Sequence, residues 1–249
     1  MFHIKIAGHT ARVQPLFAST RDYCARYLTE EAPELTITVT PQDLEAQQQA
    51  LRAEALQEGL RPRVFTDPFL ERTVIQEKLA ARLLDYDTIL FHGSAIAVDG
   101  AGYLFTADCG TGKSTHARLW RQLLGDRAVM VNDDKPFLQL TDGGILLHGS
   151  PWSGKHGLDT NVTVPLRGIC ILERGKEDRI ERITPSQALP MLQKQACHAL
   201  PGHIHRLSAT VPLYHMTCTP TPTAAATAYA AMGDAGCPLG SKKMSVLQK

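Results

Sequence analysis

Apolar positions along this chain change their period several times, and the changes divide it into short strands and helices. Phe2 to Ala7 alternates as a strand does, Leu35 to Val39 is a second β-rich run, and Gln42 to Leu60 is a block of helix formers. Pro15 to Leu28, between the two runs, is predicted helical. Asp67-Pro68 reads as a helix start, a capping carboxylate followed by proline, and that helix runs through Leu70, Val74, Leu79 and Leu83 to end near Asp85. Thr88 to Phe91 predicts a strand that delivers His92-Gly93-Ser94, and Ala95 to Val98 predicts another, closed by a turn at Asp99-Gly100. The apolar run from Tyr103 is a buried strand, and Leu119, Leu123 and Leu124 recur at helical spacing beyond it.

Further strands are predicted at Arg127 to Val131, Arg167 to Arg174 and Val211 to Met216. Thr184-Pro185-Ser186 opens a helix carrying Ala188, Leu189, Leu192 and Ala196, and Pro222 to Met232 is an alanine-rich helix. Strands that follow one another so closely around residues 88–106 do not fit strict strand–helix alternation. The expected class is therefore α/β with mixed sheets and α+β character. The expected organisation is an N-terminal α+β cap over residues 1–87 packed on a core over residues 88–235, with residues 236–249 a loose tail after the Gly-Ser-Lys-Lys break.

The stretch that carries chemistry is Ala107-Asp108-Cys109-Gly110-Thr111-Gly112-Lys113-Ser114-Thr115, set between the buried strand and the helix. Glycines let backbone N–H groups turn toward an anion, and the helix N-terminus adds a favourable dipole. Lys113 can reach the outer phosphates, and the Ser114 hydroxyl suits Mg²⁺. Glycine is expected where Ala107 stands, so the loop entry must use an ordinary backbone conformation. Downstream, the apolar strand ends in Asn132-Asp133-Asp134-Lys135. Two carboxylates at the end of a buried strand suit Mg²⁺ ligation and orientation of a nucleophile, while an Asp-Asp turn closed by Pro136 is the plainer alternative. Gly149-Ser150-Pro151-Trp152-Ser153-Gly154-Lys155 also has phosphate-loop spacing, but the β-branched residues and breakers after His156 cannot present a helix N-terminus. It is expected to be a loop, with Lys155 either adding charge near a phosphate or simply exposed on a hairpin. His92, at a strand end ahead of the phosphate-loop strand, can touch a phosphate or a carboxylate.

Composition narrows the partners. The chain of 249 residues is 43% hydrophobic and 20% charged, which fits a globular fold and excludes disorder. With 26 basic and 25 acidic residues the net charge is +1, so no global field attracts nucleic acid or an acidic membrane. Six scattered cysteines without a C-x-x-C pair fit reduced thiols in the cytoplasm. No 18-residue apolar run and no leader-like N-terminus is present, so a soluble, cytoplasmic protein is expected.

His92-Gly93, Gly110-Thr111-Gly112-Lys113-Ser114 and Asp133-Asp134, each in its strand or helix context, together resemble the catalytic domain of HPr kinase/phosphorylase over roughly residues 88–232. The likeness extends to compact HPr-kinase-like proteins in which Gly-Thr-Gly-Lys-Ser-Thr-His, Asn-Asp-Asp-Lys-Pro and Pro-Trp-Ser-Gly-Lys segments occur together. The resemblance implies a P-loop kinase of the fold shared with phosphoenolpyruvate carboxykinase, using ATP and Mg²⁺. It implies that Gly110, Thr111, Gly112, Lys113, Ser114 and Thr115 hold the nucleotide, and that Ser114 and Asp134 ligate metal. One of Asp133 and Asp134 would be the base, Asp133 being the favoured one, while the other helps hold the metal, with His92 beside the pair; Lys155, from its loop position, is the candidate second cation. Thr115 stands where the HPr enzyme has an acidic residue, and no counterpart of its protein-docking segment is evident. The implied activity is transfer of the ATP γ-phosphoryl group to a hydroxyl, that of a peptide or protein serine or of a small metabolite, in a homo-oligomer as for the family enzyme. A nucleotide-binding regulatory module without catalysis is the competing class, and a carboxykinase shares the fold.

Overall fold

The computed structural model describes residues 1–57 and 59–233, with the Lys155 side chain outside that description. The tail over residues 236–249 and Cys237 also lie outside the described residues. In chain order the elements are β1 (Phe2–Ile6), β2 (His9–Gln14), α1 (Ser19–Tyr23), β3 (Leu35–Thr38), α2 (Pro41–Gln57), α3 (Asp67–Leu83), β4 (Thr88–Phe91), β5 (Ser94–Val98) and β6 (Ala101–Thr106). They continue with α4 (Lys113–Leu124), β7 (Ala128–Asn132), β8 (Phe137–Thr141), β9 (Gly144–His148), β10 (Thr163–Arg174) and β11 (Arg179–Arg182). The last are α5 (Pro185–Gln195), β12 (Ala196–Cys197), α6 (Pro201–Thr210), β13 (Leu213–Cys218) and α7 (Pro222–Gly233).

The architecture is α/β with a mixed sheet, as the strand spacing predicts. Ten strands form one sheet whose main path runs β12-β4-β8-β9-β10-β6-β5-β7, with β13 and β11 continuing from β10. The long strand β10 joins two halves. Its first residues, Thr163 to Pro165, pair antiparallel with β9, and its later residues pair parallel with β6 on one side and β13 on the other. The phosphate-loop strand β6 thus lies between parallel β10 and antiparallel β5. Apolar side chains of α5 and α6 share a core with β4, β8, β9 and β10. Those of α4 and α7 share another with β5, β6, β7 and β13, centred on the fully buried Trp120.

The first 83 residues form a three-stranded sheet, order β1-β2-β3, whose core includes α3 and extends to Leu90, Phe137 and Trp152 of the large sheet's side. Helix formation over Pro15 to Leu28 is confined to α1 and a short 3₁₀ turn, Ala25–Tyr27. The cause is Glu71 of α3, whose buried carboxylate accepts hydrogen bonds from Leu16 N, Phe17 N and Thr20 Oγ1 and so holds residues 15–18 out of a helix. The N-cap of α3 is Thr66 rather than Asp67, without a side-chain capping bond. Ala196 leaves α5 to pair with Phe91 of β4. Strand β2, the β8–β9 hairpin, β11 and α6 are elements that the sequence reading above does not assign.

Gly149 is fixed by sterics, because a Cβ built there would fall on the Thr160 carbonyl oxygen. Backbone cannot yield as a flexible side chain does. Gly149→Ala is expected to cost roughly 3 kcal/mol of stability, read as a lower urea midpoint with an unchanged slope; an unaltered midpoint would contradict the packing described.

Candidate active site

Two chain crossings between the halves of the large sheet build the site. One is His92-Gly93, between β4 and β5; the other is Asp133 to Pro136, between β7 and β8. They run side by side, with Gly93 N donating to Asp134 O at 2.9 Å and Phe91 N donating to Pro136 O at 3.0 Å. This is why His92, far from the aspartates in sequence, stands against them. Asn132 shapes the acidic turn: its Oδ1 accepts from Asp134 N (2.8 Å) and Lys135 N (2.6 Å), and its Nδ2 donates to Ser150 O at 2.8 Å.

The two carboxylates face different groups. Asp133 Oδ1 accepts from Ser94 Oγ at 2.7 Å. Asp134 Oδ1 lies 3.4 Å from His92 Nε2. Burial raises the Asp134 carboxyl above its ordinary range, while Lys135 and Lys113 pull it down and Asp133 adds to the rise. Burial, reinforced by Lys135 and Lys113, holds His92 down to about 3, so its contact with Asp134 is that of a neutral imidazole and not an ion pair.

The phosphate loop has the backbone that its glycines permit. Gly110 (φ 76°) and Gly112 (φ 124°) both take conformations closed to most residues, and Gly112 is the N-cap of α4. That helix start has no side-chain cap and no acidic residue in its first turn, so its N–H groups are left for an anion. Lys113 Nζ donates to Ala107 O at 3.0 Å and more weakly to Asp108 O at 3.4 Å. Burial lowers the pKa of this ammonium group. Arg174, at the end of β10, braces the loop by donating to Gly110 O (2.5 Å) and Thr111 O (3.2 Å).

Two cavities flank α4. One, of about 360 Å³, is bordered by Gly110 to Gly112, Thr115, His116, Arg174 and the Cys218 to Pro220 segment. The other, of about 210 Å³, is bordered by Ser114, Thr115, Arg118, Arg121 and Asp133, with Met130, His156 and Leu158 completing it. Asp133 thus shares a cavity with Ser114, whereas Asp134 lies against His92 and does not border that cavity. The Gly149–Lys155 loop presents no α-helix; Gly154–His156 is a single 3₁₀ turn beside Asp134. Asp159 holds this loop to the N-terminal region, its side chain 6% exposed and hydrogen-bonded by Ser153 Oγ (2.8 Å), Tyr27 Oη (3.1 Å) and Arg26 Nη1 (3.1 Å).

Ser94, Asp159, Arg118, Arg121 and Arg174 are residues of the candidate site that sequence reasoning missed. Asn132 had a local signal, since an asparagine ahead of two turn residues favours an Asx turn. Arg174 is 63 and 64 residues from its partners and carries none.

Burial also sets how stability responds to acid. It depresses His116 and His148 to about 4, well below the ordinary histidine value, so both stay neutral in the folded chain as pH falls from 6.5 toward 4. Unfolded histidines take up protons over that window, and stability is therefore lost on acidification, by about 1.4 kcal/mol per pH unit for each such residue. Urea midpoints should fall from pH 7 to pH 5; a flat profile would contradict these neutral histidines.

No helix of the described residues is long and apolar enough to cross a membrane. Among the described residues no cluster of three or more His, Cys, Asp or Glu is arranged to hold a metal ion. None of the curated proteins compared matches the chain. Among solved structures, the chain is similar to the Hpr(Ser) kinase/phosphatase from Coxiella burnetii, at 14% identity and a TM-score of 0.35, over 58% of this chain and 93% of that one. The family model of the SynChlorMet cassette protein ScmC matches residues 73–220, more than half of the chain and a span that holds the phosphate loop, both aspartates and the Gly149–Lys155 loop. By that match, the chain belongs to the ScmC family of SynChlorMet cassette proteins.

Proposed function

We propose that this protein is a Mg²⁺-dependent kinase that transfers the γ-phosphoryl group of ATP to a hydroxyl group. The observation that carries the reading is the cavity shared by Ser114, at the uncapped start of α4, and Asp133. A helix start without a side-chain cap and a carboxylate border one small space, and this supports the reading.

The chain's groups then divide the work. The loop N–H groups and Lys113 hold the phosphates, once Lys113 has exchanged its loop carbonyls for phosphate oxygens. The larger cavity, beside Arg174 and Thr219, takes the base and ribose. Ser114 and Asp134 would supply hard oxygen ligands that suit Mg²⁺, and the partly buried Asp134 carboxylate, which desolvation raises, favours a cation beside it. When bound, the metal would neutralise charge on the phosphates. Asp133, oriented by Ser94, accepts the proton of the acceptor hydroxyl. The acceptor oxygen forms its bond to the γ-phosphorus as the bond to the ADP oxygen breaks, and ADP leaves. Lys135 and Lys113 offset the burial of Asp134, and neutral His92 lies against it. Lys155 belongs to the proposal by its loop position only.

Purified protein incubated with γ-labelled ATP and Mg²⁺ against peptides, free serine, sugars and polyols tests the reading. Label on an acceptor, absent with Lys113→Ala, supports it. Nucleotide binding with no transfer to any acceptor would favour a regulatory module instead.

A further inference from the structure

The smaller cavity has a second feature that the reaction does not use. Ser114, Arg118 and Arg121 stand at i, i+4 and i+7 on one face of α4, so a single stripe about 10 Å long runs from the phosphate end of the helix to two guanidinium groups. Both arginines border the cavity that Asp133 borders. Neither has a side-chain hydrogen bond or an ion pair among the described residues, and α4 carries no acidic residue to pair with them. Met130 and Leu158 form an apolar wall alongside. At about 210 Å³ the space suits a few-carbon molecule or one chain-terminal residue.

We propose that the phosphoryl acceptor carries its own anionic group, a carboxylate or phosphate a few bonds from its hydroxyl, and that Arg118 and Arg121 bind this group while Asp133 faces the hydroxyl. This rests on the kinase reading above. Guanidinium forks pair with carboxylate and phosphate through two parallel N–H bonds, which fixes the orientation of the molecule as well as holding it. A neutral polyol offers neither fork a partner, and so gains neither grip nor orientation. The arginines stand one and two turns beyond the phosphate loop, on the cavity opposite the one bordered by Arg174 and Thr219, which separates them from the nucleoside end.

The test uses matched acceptors with γ-labelled ATP and Mg²⁺: glycerate and glycerol 3-phosphate against glycerol, and a peptide ending in serine with a free carboxylate against the same peptide amidated. The full chain is compared with Arg118→Gln and Arg121→Gln. Label should pass to anionic members and not to their neutral partners. Each substitution should raise KM for the anionic acceptor at least tenfold, with kcat within threefold and KM for ATP unchanged. Transfer to the terminal-serine peptide names a chain end as the source of the anion, and transfer to glycerate or glycerol 3-phosphate names a metabolite. Equal labelling of neutral partners would overturn the inference and leave the kinase standing, as would substitutions that raise KM for ATP instead. No label on any acceptor would overturn both.

Discussion

Lys113→Ala is expected to lower kcat/KM for phosphoryl transfer by about 10³-fold, near 4 kcal/mol of transition-state stabilisation. Its ammonium group is the cation that the phosphate loop itself supplies, and it is partly withdrawn from water, where a charge acts more strongly on a developing negative charge. Among the described residues its hydrogen bonds go to two loop carbonyls. The fold therefore does not depend on it, and the variant should unfold within about 2 °C of the parent, since a 1 kcal/mol change moves Tm by about that much in a chain this long. Steady-state kinetics and a thermal melt check both halves. Near-parental turnover would remove Lys113 from the mechanism, and a collapsed melt would show that its role is structural.

The second large effect is expected at Asp133. Asp133→Asn removes the proton acceptor but keeps the shape and the Ser94 contact, so turnover should fall by at least about 10²-fold while ATP binding stays measurable. Asp134→Asn should behave differently. That side chain lies against His92 and does not border the acceptor cavity, so its loss should weaken the response to Mg²⁺ concentration more than it changes saturated turnover. Titrating Mg²⁺ against rate in both variants separates the roles. If the two behave alike, the division of labour between the carboxylates is wrong.

Much of the candidate site was legible because its signals are local. Gly110 to Ser114 announces its own strand, turn and helix, and the Asp pair sits at a strand end where apolar residues stop. The mixed sheet was legible too, from strands that follow one another without helices. What joins these pieces was not local. His92 meets Asp134 because both chain crossings pass between the same two halves of the sheet, a result of pairing across β10 that no single window contains. Residues 15–18 read as helix until Glu71, more than fifty residues on, takes the N–H groups of Leu16 and Phe17. The β8–β9 hairpin had a signal, Asp142-Gly143 between two apolar runs, whereas β11, with Ile180 as its single apolar residue, had almost none. Arg118 and Arg121 look like ordinary surface arginines in sequence; only the cavity distinguishes them.

The central claim is that this fold moves a phosphoryl group from ATP to a hydroxyl, and phosphorus NMR of the reaction mixture tests it most directly. With ATP, Mg²⁺ and a hydroxylated acceptor, the γ-phosphate resonance should give way to ADP and an equal amount of a phosphomonoester, and omission of the acceptor should stop the conversion. Persistence of ATP with every acceptor, or conversion to inorganic phosphate that ignores the acceptor, would contradict it.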